Sequence, residues 1–270
     1  MNRSEAARQG QEAKQILETG TYQSAAGQTV SIADALARAV AGTRTYLPEE
    51  EIPLPAAATR ATRFEVCNES TLAAAFRLVT AGFTPAALNF ASAKHPGGGF
   101  LSGARAQEES LARSSGLVAC LFGNPMYAFN LSHGNCLYSD HIIYSPRVPV
   151  FRDDAGRLLE QPYPCAFVTS PAVNAKVVRE RHQASGQQIG AVMERRMERV
   201  LAAAARHEHV ALVLGAWGCG VFGNDVDEIA GLFHAALHGP FAGIFERVIF
   251  AVLDWSPERR FIGPFERCFG

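Results

Sequence analysis

Three consecutive glycines, Gly97, Gly98 and Gly99, are separated by seven residues from Gln107, Glu108 and Glu109 in this 270-residue chain. Two adjacent carboxylates are candidates for proton transfer or for holding substrate hydroxyls. A backbone without Cβ atoms approaches a ligand closely and reaches positive φ at little cost. The acids fall where a helix starts, and the macrodipole favours negative charge there whatever the function. Successive helical residues point about 100° apart. Glu108 and Glu109 therefore do not oppose each other as the two carboxylates of an ordinary glycosidase do. They need separate roles, one binding hydroxyls and one exchanging a proton with the bond being broken. A general acid must hold its proton near neutral pH. Burial and a neighbouring carboxylate raise a carboxyl pKa while a helix N-terminus lowers it, so residue type alone leaves the balance open.

A second glycine loop, Gly218-Cys219-Gly220-Val221-Phe222-Gly223, follows the apolar run "HVALVLGA" and precedes a helical pattern. Backbone N–H groups at such a turn hold a diphosphate without lysine or arginine. The spacing fits G-x-G-x-x-G, the form of a dinucleotide fingerprint. Its late position argues against a Rossmann domain, and so does the lack of an acid about 20 residues on. Glu246 precedes the last strand and Asp254 comes too late.

The elements that must position these loops alternate along the chain. "RFEVCN", "AALNFA", "HIIYS", "CAFVTS", "HVALVLGA" and "RVIFAVLD" read as short buried strands. "STLAAAFRLVTAG", "EESLARSSGLVACLF", a stretch near 184–207 and another near 225–238 read as helices. That order predicts an α/β domain of three layers with a mainly parallel sheet. Both glycine loops then lie beyond carboxyl ends of strands, where such sheets bind ligands. Upstream, 3–18 reads as a polar helix, "TYQSAAGQTVSI" as a small hairpin, and Ser31 as the cap of a second helix in an S-x-x-D box. "LPEEEIPLPAAATRAT", 47–62, reads as a connecting arm. It divides an N-terminal, mostly helical accessory region, 1–60, from the main α/β domain, 61–270.

A formal charge of -1 removes any general attraction to nucleic acid or an anionic membrane. The first 20 residues carry no apolar leader segment and no run reaches the roughly 18 apolar residues of a spanning helix. The expectation is a cytoplasmic protein without direct DNA binding, and a monomer, there being no coiled-coil seam. The six cysteines form no C-x-x-C pair and the eight histidines no metal-ligand spacing, so neither disulfides nor a metal is expected.

With these residues assembled, the sequence resembles the bacterial type of poly(ADP-ribose) glycohydrolase, whose fold is a macrodomain. The resemblance rests on Gly97–Gly99 followed by Gln107–Glu109, within "LNFASAKHPGGGF" and "QEESLARSSGL", and on "YSPRVPVFRDDAGRLLEQPYPCAFVTSPAVN" and "LGAWGCGVFGND". It implies a macrodomain-like α/β fold and hydrolysis of ribose–ribose O-glycosidic bonds with release of ADP-ribose, without cofactor or metal. Glu109 would be the catalytic acid and Glu108 would orient ribose hydroxyls. Gly97, Gly98 and Gly99 would wrap the distal ribose and diphosphate, with Gln107 shaping the site from the helix start. Gly218, Cys219, Gly220, Val221, Phe222, Gly223 and Asn224 would form the diphosphate loop, Phe222 packing on the distal ribose. Asn89 and Ser92 fall where macrodomains place polar ligand contacts, and Asn68 or Glu69 would meet adenine. The implied partners are the polymer, ADP-ribosylated proteins and the ADP-ribose product, in reversal of ADP-ribosylation after DNA damage. Two other readings stay open: an ADP-ribose reader without chemistry, and a hydrolase of mono-ADP-ribosyl protein linkages.

Outside the two loops, Trp217 reads as core packing and Arg105 as solvated. Asp153, Asp154 and Glu160 read as a hairpin tip around Gly156, and Met193, Met197 and Val200 as the buried face of the long helix. The C-terminal "SPERRFIGPFERCFG" is assigned no site.

Overall fold

The computed structural model describes residues 1–55 and 59–270; the alanines of the connecting arm, 56–58, lie outside the described residues. Among the described residues the main sheet runs β3-β6-β7-β5-β8-β9-β4. These strands are β3 (Arg44–Tyr46), β4 (Arg63–Cys67), β5 (Ala86–Phe90), β6 (Ile142–Arg152), β7 (Leu158–Ser170), β8 (Ala211–Leu214) and β9 (Arg247–Ala251). A separate hairpin pairs β1 (Thr21–Gln23) with β2 (Thr29–Ser31). β7, β5, β8, β9 and β4 pair in parallel, and β6 runs antiparallel to both β7 and β3. The sheet is mixed and mainly parallel, so five strands present their carboxyl ends on one side.

Side chains alternate across this sheet because successive Cβ atoms point to opposite faces. Leu88, Val168, Leu214 and Phe250 pack against α8 (Gly186–Arg206), α9 (Val226–His238) and α10 (Ile262–Phe269), through Met193, Met197, Phe233 and Phe265. Ala87, Phe167, Val213 and Ile249 face the other layer, built from α3 (Thr71–Thr80), α5 (Leu117–Leu121) and α6 (Pro125–His133). Each large apolar side chain buried in these layers stabilises the fold by about 1.5–3 kcal/mol. Local signals set the helix starts. Ser70 Oγ accepts from Ala73 N at 3.0 Å, Ser185 and Gln188 close a reciprocal capping box, and Asp225 caps α9.

Three expectations change. The stretch 108–122 is two helices, α4 (Gln107–Ser114) and α5, because Ser115 turns extended (φ -146°, ψ 171°) and bridges Val150 of β6. Ser31 ends β2 instead of capping; Ile32 precedes α2 (Ala33–Ala41) with no side-chain cap. The region before residue 60 is mostly helical, but it also supplies the edge strand β3 of the large sheet. Within it, α1 (Arg3–Thr19) packs through Ala13 and Ile16 on Tyr22, Ile32 and Phe151. Gly10 of α1 lies so close to the Phe100 carbonyl that any Cβ there would collide with it.

Candidate active site

The acids are placed by the residue just before them. Gln107 turns its side-chain amide onto β5 as if it were a further strand: Phe90 N donates to Oε1 at 2.9 Å, and Nε2 donates to Leu88 O at 2.7 Å. The same nitrogen donates to Thr71 Oγ1 at the start of α3. These bonds satisfy backbone groups that lie past the reach of the sheet ladder. They also pin the N-terminus of α4 over the carboxyl end of β5. Gln107 is thus an anchor of the helix start.

Glu108 is buried, 3% exposed. Its Oε2 accepts from Ser92 N at 2.7 Å and its Oε1 from Asn89 Nδ2 at 3.3 Å. Burial pushes its carboxyl up to about 8, assisted by the Glu109 charge and opposed by the Ser92 and Asn89 hydrogen bonds. Asn89 is itself fully buried and also donates to Thr169 Oγ1 at 3.2 Å. Ser92 serves through its backbone, while its hydroxyl accepts from the amides of Lys94 and His95 and shapes the turn.

Glu109 points into the glycine run. Gly99 N donates to its Oε1 at 3.0 Å. Gly98, at φ 57°, lies so close that a Cβ there would overlap that same oxygen and stand 3.1 Å from Glu108 Oε2. Any other residue at Gly98 would displace one acid or the other. Glu109 Oε2, Asn89 Oδ1 and the Tyr127 hydroxyl are buried without a protein hydrogen-bond partner. Buried polar atoms are normally paired, and two of these unpaired atoms belong to residues gathered at the carboxyl end of β5.

The second loop follows β8, the strand next to β5 in the sheet. Its fold is held by its own carbonyls and by one amide. Asn224 Nδ2 donates to Val173 O at 2.8 Å and Gly218 O at 3.1 Å, and the Phe222 and Gly223 carbonyls accept from Lys176 N and Arg179 Nη1. Gly218, at φ 75°, fits against Ala172 and Asn224 with no room for a Cβ. The amides of Gly220, Val221 and Phe222 have no partner among the described residues. Three free N–H groups beside a positive-φ glycine form an anion-binding concavity. Cys219 and Asn224 are buried, so they contribute to this loop through backbone and bracing, whereas Val221 is exposed. Phe222 is half-buried, its ring 6.1 Å from that of Tyr138.

Adjacent parallel strands lie about 4.8 Å apart, so β5 and β8 bring the two loops to one crevice. Asn68 and Glu69 are engaged elsewhere: Asn68 exchanges hydrogen bonds with the Asp254 backbone, and Glu69 pairs with Arg77. Trp217 is fully buried, as packing requires. Sequence reading missed Thr169, Tyr127 and Tyr138. Thr169 is the sheet partner of Asn89 in β7, a register that the strand sequences do not reveal.

This chain belongs to the microbial-type PARG (poly(ADP-ribose) glycohydrolase) catalytic domain family, whose sequence profile matches residues 10–153. Its structure is similar to that of poly(ADP-ribose) glycohydrolase from Thermomonospora curvata, with TM-score 0.94 and 53% identity over 99% of this chain and 100% of that one. The same relative bound to the inhibitor ADP-HPD gives TM-score 0.91 and 53% identity, over 98% of this chain and 99% of that one. The Deinococcus radiodurans enzyme in complex with ADP-ribose gives TM-score 0.82 and 47% identity, over 86% of this chain and 96% of that one. No curated protein matches the sequence. The match from residue 10 includes most of the region before residue 60. Among the described residues no helix is long and apolar enough to cross a membrane.

Proposed function

We propose that the protein hydrolyses the ribose–ribose O-glycosidic bonds of poly(ADP-ribose) and releases ADP-ribose, with Glu109 as the acid. The observation that carries this reading is the pair of unlike carboxylates on one helix turn. Both Glu108 oxygens accept from protein donors, so Glu108 is fixed as a binding group. Glu109 is held at one oxygen by Gly99 and keeps the other without a protein partner, which leaves that oxygen for a proton exchange. Burial of two carboxylates at the anomeric end is not needed merely to hold a diphosphate, and this supports an enzyme over a reader.

In this reading the diphosphate of the bound unit accepts from the amides of Gly220, Val221 and Phe222, with Phe222 against the distal ribose. Its ribose hydroxyls meet Glu108 and Asn89 beside Gly97–Gly99. Glu109 passes a proton to the leaving ribose oxygen as the C1″–O bond breaks toward an oxocarbenium ion, and the diphosphate charge stabilises that cation. The Glu109 carboxylate then takes a proton from water, and the water oxygen bonds to C1″. One carboxylate serves as acid and base, so the separation rule for paired carboxylates does not apply. Residues 61–270 form the catalytic body and residues 1–60 an accessory region that braces it. Polymer carried on ADP-ribosylated proteins, a monomeric enzyme, a cytoplasmic setting and reversal of modification after DNA damage belong to the same reading.

The test is incubation with poly(ADP-ribose) while free ADP-ribose is measured. The wild type is expected to release it and Glu109→Gln to bind ADP-ribose without releasing any. Equal release by both would remove Glu109 from the mechanism, and binding without release by the wild type would leave an ADP-ribose reader.

A further inference from the structure

Three cations ring the first glycine loop. Arg3 Nε donates to Ser102 O at 3.1 Å, Arg105 Nη1 donates to Met1 O at 2.8 Å, and the Lys94 ammonium makes no hydrogen bond or ion pair among the described residues. Arg3 and Arg105 are exposed and Lys94 is half-buried. The acids of α1 are engaged with other cations, Glu5 with Arg8, Glu12 with Arg8 and Arg152, and Glu18 with Lys14. None of the three cations forms an ion pair among the described residues, in a protein whose formal net charge is -1.

The rim is joined to the acids by short contacts. Ser102, which accepts from Arg3, donates its hydroxyl to Gly99 O at 3.0 Å, and Gly99 N donates to Glu109. Lys94 follows Ser92, whose amide holds Glu108, by two residues. Arg105 stands four residues ahead of Glu109, just before α4. The second loop, which suits the diphosphate of the bound unit, carries none of these three side chains.

We propose that Arg3, Lys94 and Arg105 form a subsite for the diphosphate of the next ADP-ribose unit, the one on the leaving side of the bond cleaved. This rests on the polymer-hydrolase reading above. The leaving oxygen belongs to an adenosine ribose, and that ribose carries the next diphosphate on its 5′ oxygen. One sugar ring separates the atom protonated by Glu109 from two further negative charges. The polymer leaving Glu109 passes over the rim of the loop that holds Glu109, and there the three unpaired cations lie. Local charge of this kind supplies the attraction that the near-neutral chain as a whole lacks.

The experiment compares wild type with the triple variant Arg3→Gln, Lys94→Gln, Arg105→Gln, measuring polymer turnover and ADP-ribose binding. ADP-ribose, the product, fills only the unit bound between the two loops and carries nothing on the leaving side. The expected result is a KM for polymer raised about ten-fold, as for three exposed ion contacts, with a shallower salt dependence. ADP-ribose Kd and kcat stay unchanged. Lys94→Gln alone, which removes no hydrogen bond, should raise polymer KM by a smaller factor and leave ADP-ribose affinity untouched. An unchanged polymer KM overturns the subsite. So does an ADP-ribose Kd that weakens in step with it, since the loop itself would then have moved. Failure of the functional reading is distinct: the wild type would release no ADP-ribose at all.

Discussion

The two glycine loops reach the same crevice by different means. The first is organised by side chains: Glu108 takes the Ser92 amide, Glu109 takes the Gly99 amide, and Gln107 pins the helix to β5. The second offers its backbone: Asn224 and Arg179 brace the Gly218 and Gly223 carbonyls, and the amides of Gly220, Val221 and Phe222 are left over among the described residues. A diphosphate already carries its charge and needs only fixed N–H groups. An acid catalyst must be held in place while one oxygen stays available, which requires a carboxylate with a partner on one side only.

Changes at the two loops should therefore separate chemistry from binding. The largest effect is expected for Glu109→Gln, a fall in kcat of about 10²- to 10⁴-fold with ADP-ribose affinity retained, read by turnover and calorimetry side by side. Next comes Gly98→Ala. Its positive φ costs about 1–2 kcal/mol in a non-glycine residue, and the new methyl overlaps Glu109 Oε1. Turnover should drop well beyond what the loss of melting temperature explains. Wild-type kinetics in this variant would mean that the loop yields without moving the acid.

Asn224→Ala probes the second loop. It leaves the buried Val173 carbonyl short of a donor, at about 1–3 kcal/mol, while the Gly218 carbonyl keeps the backbone N–H of residue 224. ADP-ribose Kd should weaken roughly ten-fold for each 1.4 kcal/mol that reaches the site, while kcat at saturation stays near wild type. A loss of kcat with unchanged Kd would reverse the division of labour between the loops.

The smallest effect is a pH slope in the ligand-free protein. Glu108 is raised to about 8, so between its unfolded value and 8 the native state binds more protons than the unfolded state. Stability from this group falls as pH rises through that window, and Glu108→Gln should abolish the slope. At the other end of the sheet the sign is opposite. His207, stacked on Tyr144 at 3.5 Å and accepting or donating a 2.9 Å bond with Tyr46, is pushed down to about 4, chiefly by burial and then by His209. There the unfolded state binds more protons between 4 and 6.5, so stability falls as pH drops through that window. Thermal melts of wild type, Glu108→Gln and His207→Ala across pH 4–8 separate the two slopes.

The alternation of buried strands and helices gave away the layered α/β plan because periodicity in burial is a local property of the chain. Residue type and spacing likewise exposed both loops and the two acids. The break at Ser115 was invisible, since it depends on a bridge to Val150 that only the folded sheet brings near. The edge strand β3 was hidden for the same reason: three residues carry no periodic signal, and pairing with β6 alone makes them a strand. Sequence spacing forbade Glu108 and Glu109 a shared role, because neighbours on a helix point apart. Which of them is held at both oxygens and which keeps one without a protein partner was decided by tertiary structure, because Asn89, Ser92 and Gly99 meet the acids only when β5, its loop and α4 are folded together.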